Sequence, residues 1–141
     1  MSIQQSDVLY TAVATAENGR DGRVSTEDGK LDVVVNPPKE MGGSGEGTNP
    51  EQLFAAGYSA CFQGALGVVA RQEGADISGS TVTAEVGIGK NAEGFGITVR
   101  ISAKIPNVSG ATARELIEKA HQVCPYSKAT RGNITVDLAV A

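Results

Sequence analysis

Gly47-Thr-Asn-Pro-Glu-Gln-Leu-Phe-Ala-Ala-Gly-Tyr-Ser-Ala-Cys61-Phe62 reads as the opening of one long central helix. Thr48 and Glu51 have the S/T-x-x-E spacing of a capping box, and Asn49 is an alternative cap. Pro50 suits the first helical turn, where its missing N–H breaks no hydrogen bond. The sequence then runs apolar to Val69-Ala70, and Gln72-Glu73-Gly74 supplies a stop. A helix apolar on most of its faces belongs in a core. It also has too little polar surface to lie uncovered on a monomer, which points to a dimer. Cys61 sits inside it among Gly57, Ala60 and Gly64, small residues that let another group approach closely.

Upstream, Val8 to Ala16 is rich in strand formers, and Gly19-Arg20-Asp21-Gly22 reads as a turn. Arg23–Thr26 and Leu31–Val35 flank Asp28-Gly29, a strong hairpin signal, and Pro37-Pro38 ends that ladder. From Lys39 to Gly47 the chain reads as a flexible glycine-rich loop. It fits neither G-x-G-x-x-G nor G-x-x-x-x-G-K-[ST], so a mobile loop beside a pocket is a better reading than a phosphate cradle.

Downstream, Thr81–Ile88 and Phe95–Ile105 alternate as two long strands joined through Asn91–Gly94. Thr112-Ala-Arg-Glu115 reads as a second capping box, opening a helix with Leu116, Ala120 and Val123 on one stripe and Cys124 beside it. Pro125 ends that helix, and Asn133 to Val140 closes the chain as a strand. The order β-β-β-α-β-β-α-β predicts an α+β domain in which hairpins build antiparallel sheet and the apolar helix packs across it.

The 141 residues suit a single domain spanning 1–141, large enough to fold without disulfides or structural metal. The net charge of −4 gives no electrostatic footprint for nucleic acid, and no basic cluster marks an anionic membrane surface. Met-Ser-Ile-Gln-Gln-Ser-Asp does not read as a signal peptide, and no uninterrupted apolar run reaches the roughly 18 residues of a membrane span. The expected location is the cytoplasm. There Asn107-Val-Ser109 and Asn133-Ile-Thr135 are chance sequons, and two distant cysteines with one histidine make no zinc pattern.

Four residues are candidates for chemistry. Cys61 and Cys124 both lie on apolar sides of predicted helices, as buried small hydrophobes or as a reactive pair. A reactive thiol needs a cation nearby, and Arg20 would have to come from another part of the fold. Glu51 reads as a helix cap or as the anchor of an arginine. Ten residues of straight helix span ~15 Å, so Glu51 reaches Cys61 only if the helix breaks near Gly57 or an arginine bridges the two. His121, Arg71 and Arg131 read as structural, solvent-facing or capping residues. Phe54, Phe62, Phe95 and Tyr126 read as core by default, while the two that flank the cysteines in sequence are also candidates to line an apolar pocket.

The stretch from Gly47 to Phe62, together with His121-Gln-Val-Cys-Pro-Tyr-Ser-Lys-Ala-Thr-Arg-Gly-Asn-Ile134, closely resembles the organic hydroperoxide resistance proteins of the OsmC/Ohr family. Gly19–Gly22, Val86–Gly89 and Gly94-Phe-Gly96 extend the resemblance over essentially the whole chain. It implies an intertwined α+β homodimer with antiparallel sheets wrapped around central helices and active sites at the subunit interface. It further implies a thiol peroxidase for organic and fatty-acid hydroperoxides, needing no metal, haem or flavin. By motif, Cys61 is the peroxidatic thiol, Cys124 the resolving thiol, Arg20 the activating cation and Glu51 its partner. The reductant implied is a dihydrolipoyl group on a lipoylated protein. An OsmC-type peroxidase of broader peroxide range, or a non-catalytic redox-sensing or lipid-binding module, are the alternatives.

Overall fold

The computed structural model describes residues 7–141, so the first six residues, on which most of the no-leader expectation rests, lie outside the described part. The chain is α+β and divides into two compact units, residues 1–50 and 51–141.

The first unit carries a three-stranded antiparallel sheet of β1 (Ala14–Glu17), β2 (Gly22–Thr26) and β3 (Asp32–Val35), in that order. Between β1 and β2, Asn18 and Gly19 both take left-handed backbone, with φ of 60° and 57°. Residues 18–22 separate the last paired positions, Glu17 and Arg23, and the Asp21 N–H closes the turn on Asn18 O at 3.1 Å. The Asp28-Gly29 hairpin forms as expected, with the Asp28 carboxylate accepting from Thr26 Oγ1 and from the Lys30 N–H. The strand expected over Val8–Ala16 is shorter, because pairing to β2 begins at Ala14↔Thr26. Strand propensity is realised only against a partner, and Val8, Leu9 and Tyr10 remain exposed. The segment expected to be a flexible loop is instead folded on itself. Lys39–Met41 form a 3₁₀ turn, and the N–H groups of Gly43 and Gly45 donate to Pro38 O and Pro37 O.

The second unit begins with α1 (Pro50–Glu73), 24 residues without a break at Gly57, and Gly74 follows with φ +69°. By length and composition alone α1 passes for a membrane span, with a mean hydropathy of 1.5 over its most apolar window. Its packing is that of a core helix: Tyr58, Phe62, Leu66 and Val69 are buried against strands and the second helix. Small residues, Ala56, Ala60 and Gly64, fill the exposed side.

β4 (Thr81–Asn91) and β5 (Gly94–Lys104) form the long antiparallel hairpin read from the sequence. α2 (Gly110–Val123) begins before the expected capping box: its cap is Ser109, whose side chain accepts from the Thr112 N–H. Its buried stripe is Ala113, Leu116, Ile117 and Ala120, continued by Cys124, while Val123 is exposed. Pro125 does end α2, but it also starts a further helix, α3 (Pro125–Thr130). Proline fits both tasks, since it cannot continue a ladder yet is preset for a first helical position. The closing strand forms as β6 (Val136–Val140) and joins β5 in parallel, the one parallel pair beside the antiparallel hairpins. The chain leaves β5 at Lys104, and the α2–α3 crossover carries it back so that Val136 starts beside Val99, which makes the pair parallel.

Candidate active site

The second unit brings Cys61 and Cys124 together. Their sulfurs are 3.5 Å apart and both cysteines are free. Cys61 points from the middle of α1 and is half-buried, whereas Cys124 is fully buried. Cys124 is fixed by its position between two helices. Its N–H closes α2 on Ala120 O at 2.8 Å, and its carbonyl accepts the Lys128 N–H of α3 at 3.0 Å.

Burial pushes the Cys61 thiol above its ordinary range. The Tyr126 backbone N–H, donating to the sulfur, acts against this by favouring the thiolate. Neighbouring Cys124 adds to the upward push. Within the second unit, Cys61 is therefore placed for exchange with Cys124 but not activated by its burial.

Three aromatic rings from α1 and α3 pack into a wall, and one of them belongs to Tyr126, whose N–H meets the Cys61 sulfur. Phe54, Tyr58 and Tyr126 lie with ring centroids 5.5 to 5.9 Å apart, Phe54 edge-on to Tyr58. Such tilted and edge-to-face arrangements are the favourable ones for ring quadrupoles. Of the two glycines singled out near Cys61, Gly57 admits a close neighbour: a Cβ there would be 2.7 Å from the Tyr126 hydroxyl. Gly64 faces open space. Of the aromatics expected in the core, Phe62 is sealed, Phe54 is partly buried, and Phe95 and Tyr126 are exposed.

A buried polar cluster under this wall was not anticipated from sequence. The Tyr58 hydroxyl lies 2.9 Å from Ser127 Oγ and 3.1 Å from Thr130 Oγ1. Ser127 Oγ is 2.8 Å from His121 Nδ1, and Thr130 Oγ1 donates to Ser127 O at 3.2 Å. His121 is held below its ordinary pKa by burial and by the Arg131 charge, so it is neutral at pH 7. Arg131 takes the capping role expected of it, donating to His121 O at 2.9 Å. The only sequence signal for this cluster is the i, i+3 pair Ser127 and Thr130 following Cys124-Pro125.

Glu51 lies in the first turn of α1. On an unbroken helix, that puts its backbone ~15 Å from that of Cys61, as the helical arithmetic requires. Arg20 lies in the β1–β2 turn of the first unit. That turn is tied by Asp21, whose carboxylate accepts from Asn36 Nδ2 at 2.8 Å. Asn36 Oδ1 in turn accepts the Gly47 N–H at 2.7 Å, and Thr48 pairs with Val35 beyond it. One asparagine thus couples the arginine-bearing turn to the segment that leads into α1.

A family model described as OsmC-like protein matches residues 43–139. The organic hydroperoxide resistance protein of Xanthomonas axonopodis pv. citri is 52% identical over 136 residues, covering 95% of this chain and 96% of that protein. The crystal structure of an organic hydroperoxide resistance protein from Elizabethkingia anophelis superposes with a TM-score of 0.90 at 51% identity, covering 96% of this chain and 99% of that one. The structure of OhrB of Bacillus subtilis gives 0.87 at 43% identity, covering 95% and 100%.

Proposed function

This chain belongs to the OsmC-like family, alongside the organic hydroperoxide resistance proteins, and on that premise we propose that it is a cysteine-based peroxidase for organic hydroperoxides. The observation that carries the proposal is the sulfur pair, 3.5 Å apart, with one thiol partly open and the other sealed.

In the proposed cycle, the Cys61 thiolate attacks the distal peroxide oxygen. A sulfur–oxygen bond forms, the oxygen–oxygen bond breaks, and the alkoxide leaves as an alcohol after taking a proton. Cys61 is left as a sulfenic acid. Cys124 condenses with it to a disulfide, releasing water, and an external dithiol reduces the disulfide by exchange. The dithiol proposed is a dihydrolipoyl group carried on a partner protein. Arg20 is assigned as the cation that favours the thiolate and orients the peroxide, and Glu51 as the carboxylate that fixes its guanidinium. The aromatic wall supports a preference for alkyl chains, whose burial contributes roughly 0.8 kcal/mol per methylene.

The whole chain is taken as one functional domain acting in the cytoplasm as an intertwined homodimer. The exposed Val8, Leu9, Tyr10, Val34 and Phe95 support a partner surface.

Reacting the reduced protein with one equivalent of cumene hydroperoxide, and separately of hydrogen peroxide, tests the reading by thiol titration. Rapid loss of two thiols with the organic peroxide, and slow loss with hydrogen peroxide, is expected. Equal rates favour an OsmC-type enzyme of broader range, and no loss with either leaves a non-catalytic module.

A further inference from the structure

We propose that Tyr58 is a positioning residue for disulfide closure: its hydroxyl, with Ser127 and Thr130, holds the segment bearing Cys124 at the distance from which it condenses with oxidised Cys61. This inference rests on the peroxidase reading above.

The hydrogen bonds of the buried cluster have only one consistent direction. The carbonyl of Ser127 can only accept, so the single proton of Thr130 Oγ1 goes there. Thr130 must then accept from Tyr58, which spends the tyrosine's one proton. Tyr58 therefore accepts from Ser127, and Ser127 accepts from His121 Nδ1–H. The chain runs His121 → Ser127 → Tyr58 → Thr130 → Ser127 carbonyl, each proton used once. This assigns His121 as the neutral Nδ1–H tautomer, in keeping with its burial and the neighbouring Arg131 charge.

These links join the three elements that set the sulfur separation. Tyr58 is one turn before Cys61 on α1, and His121 is one turn before Cys124 on α2. Ser127 and Thr130 are on α3, which follows Cys124 directly. Tyr58 is the only member on α1, so the chain reaches the Cys61 helix through its hydroxyl alone.

Closure makes geometry decisive. In condensation the Cys124 sulfur bonds to the Cys61 sulfur, the sulfur–oxygen bond of the sulfenic acid breaks, and the Cys124 proton leaves with the hydroxyl as water. The sulfurs must move from 3.5 Å to a bond of about 2.05 Å, in a narrow range of dihedral angle. A misplacement of about 1 Å can slow such a step as much as 100-fold. Tyr58→Phe keeps the ring against Phe54 and Tyr126 but removes the middle link. Ser127 is then a buried donor without its acceptor, and α3 loses its hydroxyl link to α1 while the Tyr126 contacts remain.

The test separates the two halves of the cycle. Reduced protein is mixed with one equivalent of cumene hydroperoxide, and Cys61 sulfenic acid (trapped with dimedone), disulfide and sulfinic acid are followed by mass spectrometry. In Tyr58→Phe the ratio of condensation rate to first-step rate is expected to fall about 10- to 100-fold. Dimedone adduct then accumulates at the expense of disulfide, and in a parallel run with a second equivalent of hydroperoxide and no dimedone, sulfinic acid does. Thr130→Val, which removes both bonds of the Thr130 hydroxyl but keeps the Ser127–Tyr58 bond between α3 and α1, is expected to shift the ratio in the same direction by less, and it decides the matter if Tyr58→Phe does not fold. A loss of packing alone would lower the melting temperature and leave the ratio unchanged. Folded variants with the wild-type ratio overturn the proposal while leaving the peroxidase reading intact. A wild-type protein that forms neither sulfenic acid nor disulfide with hydroperoxide overturns both.

Discussion

The Tyr126 hydroxyl occupies the space in which a side chain at Gly57 would begin, 2.7 Å from the position of a Cβ there. Gly57 is therefore the point at which α1 lets α3 close over it. Gly57→Ala raises helix propensity by roughly 1 kcal/mol and displaces the Tyr126 ring, which is the free end of a flexible side chain. The melting temperature is expected to change little, while the reaction of Cys61 with cumene hydroperoxide slows. Unchanged reactivity would show that the Tyr126 ring is irrelevant to the thiol.

Burial and Cys124 both push the Cys61 thiol upward, so the proposed Arg20 must overcome them. In Arg20→Ala, alkylation of Cys61 by iodoacetamide at pH 7 is expected to fall, by about tenfold for each unit that its pKa rises. The rate should recover as the pH is raised through the new value. A pH–rate profile identical to the wild type's would remove arginine from the mechanism.

Removing Cys124 lifts one of the pressures on Cys61. In Cys124→Ala the Cys61 thiol should titrate below its wild-type value, though burial still acts on it. The protein is expected to complete one turnover and then stop, with sulfinic acid forming in excess peroxide. Sustained turnover with dihydrolipoamide would mean that a resolving thiol is not needed.

His121 provides a stability signature at mild acid. Its folded pKa lies below the unfolded value, so the unfolded chain binds more protons as the pH falls below about 6.5. Stability should therefore be lost as the pH drops from there through the folded pKa. His121→Asn retains a polar group near Ser127 and has no such titration. Melting temperatures at pH 7.5 and 5.0 should differ less in the variant than in the wild type, and equal differences would assign the acid sensitivity elsewhere.

Phe62, next to the proposed nucleophile, is completely buried. Phe62→Ala should cost about 3–5 kcal/mol, the range for aromatic truncation in a packed core. Chemical denaturation with an unchanged m-value checks this, and a loss under about 1 kcal/mol would mean that the site collapses to fill the hole.

Local signals carried much of the fold. Pro50, the apolar run to Ala70 and Gly74 bound α1, and Asp28-Gly29 and Asn91–Gly94 mark the two hairpins. Each depends on residues a few positions apart, where backbone preference and pattern act directly. The direction of β6 was not legible because alternation encodes which face is buried, not which way a neighbour runs. α3 was missed because its six residues are too short for a helical period to stand out. The two cysteines were visible as candidates, but their 3.5 Å approach is a property of packing between α1 and the α2–α3 junction. The hydroxyl cluster was least legible, since Tyr58, His121, Ser127 and Thr130 are unremarkable polar residues until tertiary structure seals them together.

The parallel pairing of β6 with β5 has a consequence in time. α2, Cys124 and α3 all lie on the crossover between these two strands, which is anchored at both ends only when β6 has docked beside β5. Synthesis must pass Val140 before the crossover can be pinned. A nascent chain holding Cys61 therefore emerges without its assembled thiol partner, and the pair comes into register only as the sheet closes.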